Sequence, residues 1–352
     1  MYDIILAFIS AFFITYTAIP SIIKISHVKH LMDKPGERSS HSTSIPTLGG
    51  LGIFAGLICS VMFWTPFSVF SGLQYILCSI IIIALLGVKD DMIPLTPRVK
   101  LLGQIVAAGI LVAKADVRLT SLYGIFGIHE LPYWFSAAFS IFVIIVINNA
   151  FNLIDGINGL AGSLTCVVCA TFGIWFYRVD QISLAVLAFA LVGATVGFLK
   201  YNYTPAKIFM GDTGSLVVGL VCSILTIKFI ELNKILPTDI AIKSVPAVAI
   251  GVLIVPLFDT LRVFSRRILN GKSPFHPDKT HIHHLLLDVG CSHMQGTICL
   301  IIVNVLFVAF VFKFQWIGAL PLILLLLAIA LIGSQTLFYF ANKRHSRAMA
   351  TS

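Results

Sequence analysis

Charge is what this 352-residue chain has least of: 24 lysines and arginines with 15 aspartates and glutamates make up 11% of it, against 58% hydrophobic residues. So few charges cannot cover a water-soluble surface, and with a mean hydropathy of +0.98 a soluble globular protein is excluded. The sequence also lacks internal repeats, low-complexity tracts and any polar stretch that would make a separate soluble domain. Residues 1–352 therefore read as one domain. A disulfide framework is missing too, because Cys59, Cys78, Cys166, Cys169, Cys222, Cys291 and Cys299 lie mostly inside apolar runs and read as small buried hydrophobes. Cys166 and Cys169 form a CxxC pair, but without the companions a redox motif needs. The first apolar run carries Asp3 where a secretory signal has lysine or arginine, and no small-x-small cleavage site follows it. It reads as a retained helix.

What is present is a series of eleven apolar blocks, at about 4–26, 48–64, 73–89, 101–118, 134–151, 160–177, 182–199, 213–230, 245–265, 297–313 and 316–340. Each approaches the length an α-helix needs to cross a hydrocarbon core of about 30 Å. Unpaired strands cannot exist in lipid, so the expected fold is all-α: a polytopic transmembrane bundle of about eleven helices. If the chain changes sides at every block, 17 of the 24 cations fall on one side, among them Lys24, Lys89, Arg98, Lys100, Lys200, Arg266 and Lys343. That bias makes the rich side cytosolic, the amino terminus external and the carboxyl terminus internal. The +9 net charge is then topology and not a nucleic-acid footprint.

The polar clusters all fall on the cation-rich side, in loops near 27–47, 89–100, 148–160, 200–213 and 266–296. Asp90 and Asp91 end the third block. In "NNAFNLIDGINGL" (148–160), Asn149, Asn152, Asp155 and Asn158 recur every three residues, on one face of any helix they form, while Gly156 and Gly159 suggest a break where backbone approaches a ligand. "YNYTPAKIFMGDTGSL" (201–216) sets Asp212 just before an apolar helix, where Asp, Thr and Ser cap and where phosphate is also favoured. "SPFHPDKTHIHHLL" (273–286) supplies His276, His281, His283 and His284. Taken singly, Asp90 and Asp91 also read as the solvated end of a helix, Asp212 as an N-cap, and the histidines as zinc ligands without a fixed four-ligand spacing. Asn149, Asn152 and Asp155 resist so plain a reading, since polar groups near hydrocarbon need a cavity or a partner. Oxygen donors suit a hard cation such as Mg²⁺, and basic groups suit phosphates, so together they fit a metal-bound diphosphate met by a lipidic partner at the bilayer surface.

"DKPGERSSHSTSIPTLGG" (33–50), "DDMIPLTPRVK" (90–100), "NAFNLIDGINGL" (149–160), "FMGDTGSL" (209–216) and "HPDKTHIHH" (276–284) together resemble the polyprenyl-phosphate N-acetylhexosamine-1-phosphate transferases. The eleven spans and the HIHH element make the chain more similar to the bacterial branch that primes O-antigen, enterobacterial common antigen or teichoic acid linkage units than to the muramoyl-pentapeptide branch. The resemblance implies transfer of N-acetylglucosamine 1-phosphate from a UDP-sugar to undecaprenyl phosphate, with UMP released and Mg²⁺ or Mn²⁺ required, at the cytosolic face of a bacterial cytoplasmic (inner) membrane. It implies Asp212 and Asn152 as metal residues, with Asp155 close by, Asp90 or Asp91 orienting or deprotonating the lipid phosphate, and Lys100 on a phosphate. Phe209 would stack on uracil, with Asn158 and Gly156 at its edge, and Asn149 would line the substrate site. His281, His283, His284 and Lys279 would face the sugar or diphosphate, with Arg38 and His41 contributing from the first cytosolic loop. Of the transferase residues, His281 joins the three aspartates as a catalytic candidate. A homodimer is compatible with this picture. Rival readings are a transferase for another UDP-N-acetylhexosamine or for UDP-muramoyl-pentapeptide, and, in a different class, a transporter, whose polar groups would gather at the midplane.

Overall fold

A computed structural model describes the chain except for residues 30, 34–44, 66–71, 272–280 and 352, and gives no side-chain surroundings at 32–33 and 345–351. Thirteen α-helices occur among the described residues: α1 (Tyr2–Lys29), α2 (Gly49–Trp64), α3 (Leu73–Met92), α4 (Pro97–Lys114), α5 (Tyr133–Ile154), α6 (Leu160–Arg178), α7 (Ile182–Asn202), α8 (Gly211–Leu232), α9 (Val245–Val252), α10 (Ile254–Leu269), α11 (Ile282–Asp288), α12 (His293–Phe314) and α13 (Ala319–Thr351). The expected helical bundle is what forms, and each of the eleven apolar blocks lies on one or more of these helices. Eight helices are long and apolar enough to cross a membrane, or nine spans if the bent α9–α10 pair counts as one. That number is below eleven for physical reasons: α2 has only 16 residues, and α4 opens on Arg98 and Lys100 and closes on Lys114.

Local chemistry sets the helix ends. Proline has no N–H to leave unsatisfied, and Pro97 is the first residue of α4. Ser292 and Gln295 form a reciprocal capping box at the start of α12. The α9–α10 pair bends by 82°. Pro256 cannot donate to the carbonyl four residues back, Val252, and that oxygen accepts instead from Asn304 Nδ2 of α12 at 3.1 Å. In α8, 83% of the most apolar window is buried, against 17% in α13 and 22% in α12. Thus α8 is the axis of the bundle, while α12 and α13 face lipid.

The alternating direction of the helices brings the end of α3, the start of α4, the end of α5 and the start of α8 to one face. There β1 (Met32–Asp33) pairs antiparallel with β2 (Ile45–Pro46). The stretch before α8 zips onto β2 and α2 through Phe209 N to Pro46 O at 2.8 Å and Gly49 N to Phe209 O at 3.0 Å. At the opposite face, Glu231 accepts from Thr120 N at 2.8 Å and Thr120 Oγ1 at 2.7 Å, tying the α4–α5 connection to the far end of α8.

Candidate active site

Asp212, the second residue of α8, is where three helices meet. Its Oδ1 accepts from Lys100 Nζ of α4 at 2.5 Å and from Asn152 Nδ2 of α5 at 2.6 Å. Lys100 Nζ also lies 2.8 Å from Asp90 Oδ2, and Asp90 Oδ1 accepts from Leu95 N at 2.7 Å. Asn152 donates further to Ser215 Oγ at 2.9 Å, so both of its bonds to α8 are made through the amide nitrogen. Asp91 works from α3 on the start of α8: Oδ1 accepts from Asp212 N at 2.7 Å, and Oδ2 from Thr213 N at 3.0 Å and Thr213 Oγ1 at 2.5 Å. Those amides are orphan donors of a helix amino terminus, so the carboxylate is a cap supplied by another helix. Gly211 permits the approach, because with φ +70° a side chain there would be strained, and a Cβ would stand 2.0 Å from Thr47 O and 2.7 Å from Asp91 Oδ1.

These groups border a cleft of about 480 Å³ lined by Leu31, Thr47, Asp90, Asp91, Met92, Asn152, Asp155, Gly211, Asp212 and Ser215. Asp155 is the residue that ends α5. Burial, with the nearby Asp212 and Asp91 charges, pushes its carboxyl up to about 7. Four carboxylates thus border one cleft, and Lys100 pairs with two of them, Asp90 and Asp212.

Behind Asp155 stands a histidine cluster. His281 Nδ1 lies 2.8 Å from Asp259 Oδ2, and Asp259 Oδ1 accepts from Ile282 N at 2.8 Å, holding the start of α11. Arg262 reaches the same carboxylate at 3.3 Å. The ring of His283 lies 5.5 Å from that of His281 and 4.3 Å from that of His284. It is 1% exposed, and burial together with His284 pushes its pKa down to about 3. Among the described residues no three of the histidines, cysteines and acidic residues are placed to hold a metal ion as a group.

A model of the glycosyl transferase family 4 matches residues 73–230, a stretch that includes every cleft residue from Asp90 to Ser215. The probable undecaprenyl-phosphate N-acetylglucosaminyl 1-phosphate transferase of Bacillus subtilis is 32% identical over 308 residues, covering 87% of this chain and 84% of the relative. The undecaprenyl-phosphate alpha-N-acetylglucosaminyl 1-phosphate transferases of Yersinia pestis and Escherichia coli K12 are 31% and 30% identical, over 76% and 78% of this chain and 72% and 73% of their own lengths. The chain belongs to glycosyl transferase family 4. It is a multi-pass membrane enzyme.

In this family 4 transferase the structure brings Asp90, Asp91, Lys100, Asn152, Asp155 and Asp212 together, whereas several other candidates stand elsewhere. Asn149 does not line the cleft; its amide is spent one turn deeper, on Gln104 Oε1 at 3.0 Å and Ile145 O at 2.8 Å. Gly156 does allow a close approach, but the neighbour is protein: a Cβ there would lie 2.1 Å from His283 Nε2. Asn158 is buried and bonds Thr204 Oγ1 at 3.0 Å, while its carbonyl receives Thr297. Phe209 is half-buried and held by its backbone against β2 and α2. Arg38, His41 and Lys279 lie outside the described residues. Two residues of the surrounding hydrogen-bond networks escaped the sequence reading. Asp259 was legible as a lone carboxylate inside the apolar block 245–265, which is costly unless partnered, and Gln104 as an amide four residues beyond Lys100.

Proposed function

We propose that this transferase moves N-acetylglucosamine 1-phosphate from UDP-N-acetylglucosamine to undecaprenyl phosphate, giving the diphosphate-linked lipid and UMP, at the cytosolic face of a bacterial cytoplasmic membrane. The observation that carries it is the Asp212 junction: a lysine, an amide and a cluster of carboxylates at one end of a bundle, the composition required to hold a diphosphate at a lipid surface. The named relatives, transferases for this sugar and this lipid, support the same reading.

The residues fit a divalent cation of the Mg²⁺ or Mn²⁺ type. Carboxylates outnumber cations in the cleft, Asp155 has no hydrogen-bond partner among the described residues, and hard oxygen donors suit that ion. Asp212 and Asn152 would hold it, with substrate phosphates completing the set. When bound it neutralises charge on the diphosphate. Lys100 exchanges its carboxylate partners for a phosphate. A lipid phosphate oxygen then attacks the β-phosphorus in a single displacement; the new P–O bond forms as the bond between β-phosphorus and bridging oxygen breaks, and UMP departs with that oxygen. Fixed charges aimed at the diphosphate serve this transfer better than attack at the sugar carbon. The His281–Asp259 pair holds the start of α11 next to Gly156 and Asp155 at the cleft's edge.

An apolar cavity of about 570 Å³ among α10, α11, α12 and α13, lined by Phe258, Ile282 and Phe307 among others, supports a lipidic acceptor. Its wall residues Phe258 and Ile282 adjoin Asp259 and His281 in sequence. The same reading leaves room for a homodimer, to be settled by the mass of the detergent-solubilised enzyme. Mass spectrometry of the lipids formed from a panel of UDP-sugars, with and without EDTA, tests the proposal. A diphospholipid bearing N-acetylhexosamine, formed only with divalent metal, is expected; absence of lipid product with every donor overturns it.

A further inference from the structure

Beneath the Lys100–Asn152–Asp212 junction the same three helices are joined again. Gln104 Nε2 of α4 donates to Asn148 Oδ1 at 3.1 Å and Asn149 Oδ1 at 3.3 Å, both on α5, and Gln104 Oε1 accepts from Asn149 Nδ2 at 3.0 Å. Asn148 Nδ2 then donates to Leu216 O of α8 at 3.0 Å. Three members lie four residues from a member of the junction, Gln104 following Lys100, Asn148 preceding Asn152 and Leu216 following Asp212, and Asn149 lies three before Asn152. Four residues make about one turn, some 6 Å along the axis. The cleft therefore stands on a second junction of the same three helices, one turn deeper, centred on Asn148 of α5 where the first is centred on Asp212 of α8.

Composition makes the second layer costly. Gln104 is 3% exposed and Asn148 1% exposed, with Asn149 half-buried beside them, and amides at this depth are retained only where each polar atom finds a partner, as all six side-chain polar atoms do here. A layer meant only for packing would be made of apolar residues, as the neighbouring turns of α8 are with Val217, Val218 and Leu220. What amides add is register. Apolar contacts let α4 slide or turn against α5 at little cost, but the paired Gln104 and Asn149 amides have one height and one orientation. The top layer cannot hold its own register during a reaction, because Lys100 must leave Asp90 and Asp212 when phosphate arrives.

We propose that Gln104, acting with Asn148, is a positioning residue: it fixes the height of α4 so that Lys100 and Asn152 stay aligned with Asp212 while their own contacts are exchanged for substrate. This rests on the transferase reading above. Gln104 touches no substrate, and its loss acts through groups that do.

The test is steady-state kinetics of Gln104→Leu, which keeps the approximate volume and removes the amide. Expected are a fall in kcat of about ten- to a hundredfold, KM for UDP-sugar and lipid phosphate changed by less than about threefold, and an unchanged or higher melting temperature. Asn148→Leu should give a similar fall in kcat, and the double variant no more than either single one, since the two act as a unit. If Gln104→Leu does not insert or fold, Gln104→Glu carries the test, because it keeps the acceptor for Asn149 and loses the donation to Asn148. Wild-type kcat in the folded variant, or a loss that follows melting temperature and is additive with Asn148→Leu, overturns the proposal. Absence of lipid product from the wild-type protein would instead defeat the transferase reading, so the two failures are distinct.

Discussion

Asp91 belongs to α3, yet both of its carboxylate oxygens serve α8, through Asp212 N at 2.7 Å and Thr213 N at 3.0 Å. An acid at the end of one helix thus closes the amino terminus of the next but several, and in doing so sets the direction in which Asp212 leaves its backbone. Its neighbour Asp90 faces Lys100 and Leu95 instead. The adjacent acids divide the work: one holds the backbone, the other the ammonium.

Asp91→Ala should accordingly lower stability by about 1–2 kcal/mol, the cost of a lost charged cap, and also reduce turnover because Asp212 is no longer held. Thermal unfolding in detergent beside the activity assay checks both. Full stability with lost turnover would make Asp91 a substrate residue and not a cap.

Gly156→Ala places a methyl 2.1 Å from His283 Nε2 and forces the buried ring aside, at a cost of about 1–3 kcal/mol. In the His283→Ala background the same change should be nearly neutral for stability. A double-mutant cycle of melting temperatures reads this coupling, and additive losses would show that the ring does not occupy that space in the membrane.

The Asp155 carboxyl, raised from 3.8 to about 7, gives a signed dependence on pH. Between those values in EDTA the unfolded chain has already lost this proton and the folded one keeps it, so stability falls as pH rises toward 7 and levels off above it. Asp155→Asn should abolish that slope. In the wild-type protein at pH 6.5, adding Mg²⁺ should release protons to an unbuffered medium, since a nearby cation favours the carboxylate, and should release fewer in the variant.

The cytosolic placement proposed for the cleft rests on the 17-to-7 division of cations, counted with a change of side at each of the eleven apolar blocks. With the native cysteines removed, Lys207→Cys, at the cleft face, should react with an impermeant thiol reagent only after cells are opened. Glu130→Cys, on the opposite face, should react from outside. Reversed labelling would place the cleft outside the cell.

Much of this was legible from the residues. Long apolar blocks bounded by cations gave the helices, because the bilayer imposes one length and one hydrogen-bonding solution. Asp90, Lys100, Asn152 and Asp212 were legible as polar groups where apolar sequence ends. Their partners were not, since only the packing of α3, α4, α5 and α8 decides that Asp91 caps a distant helix while Asn149 turns inward to Gln104. Gly156 illustrates the limit: sequence indicated a close approach, and tertiary structure supplied a histidine ring. The α9–α10 bend needed Asn304 as well as Pro256, a residue 48 positions away in sequence.

The central claim is that the phosphorus attached to the sugar stays with it. UDP-N-acetylglucosamine labelled with ³²P at the β-phosphate, incubated with purified protein, undecaprenyl phosphate and Mg²⁺, tests this directly, with Asp212→Asn as the inactive control. The account predicts that the label passes to the lipid while unlabelled UMP is released, and that added UMP returns the label to the nucleotide sugar. Label released as UDP, with an unlabelled glycolipid, would contradict it.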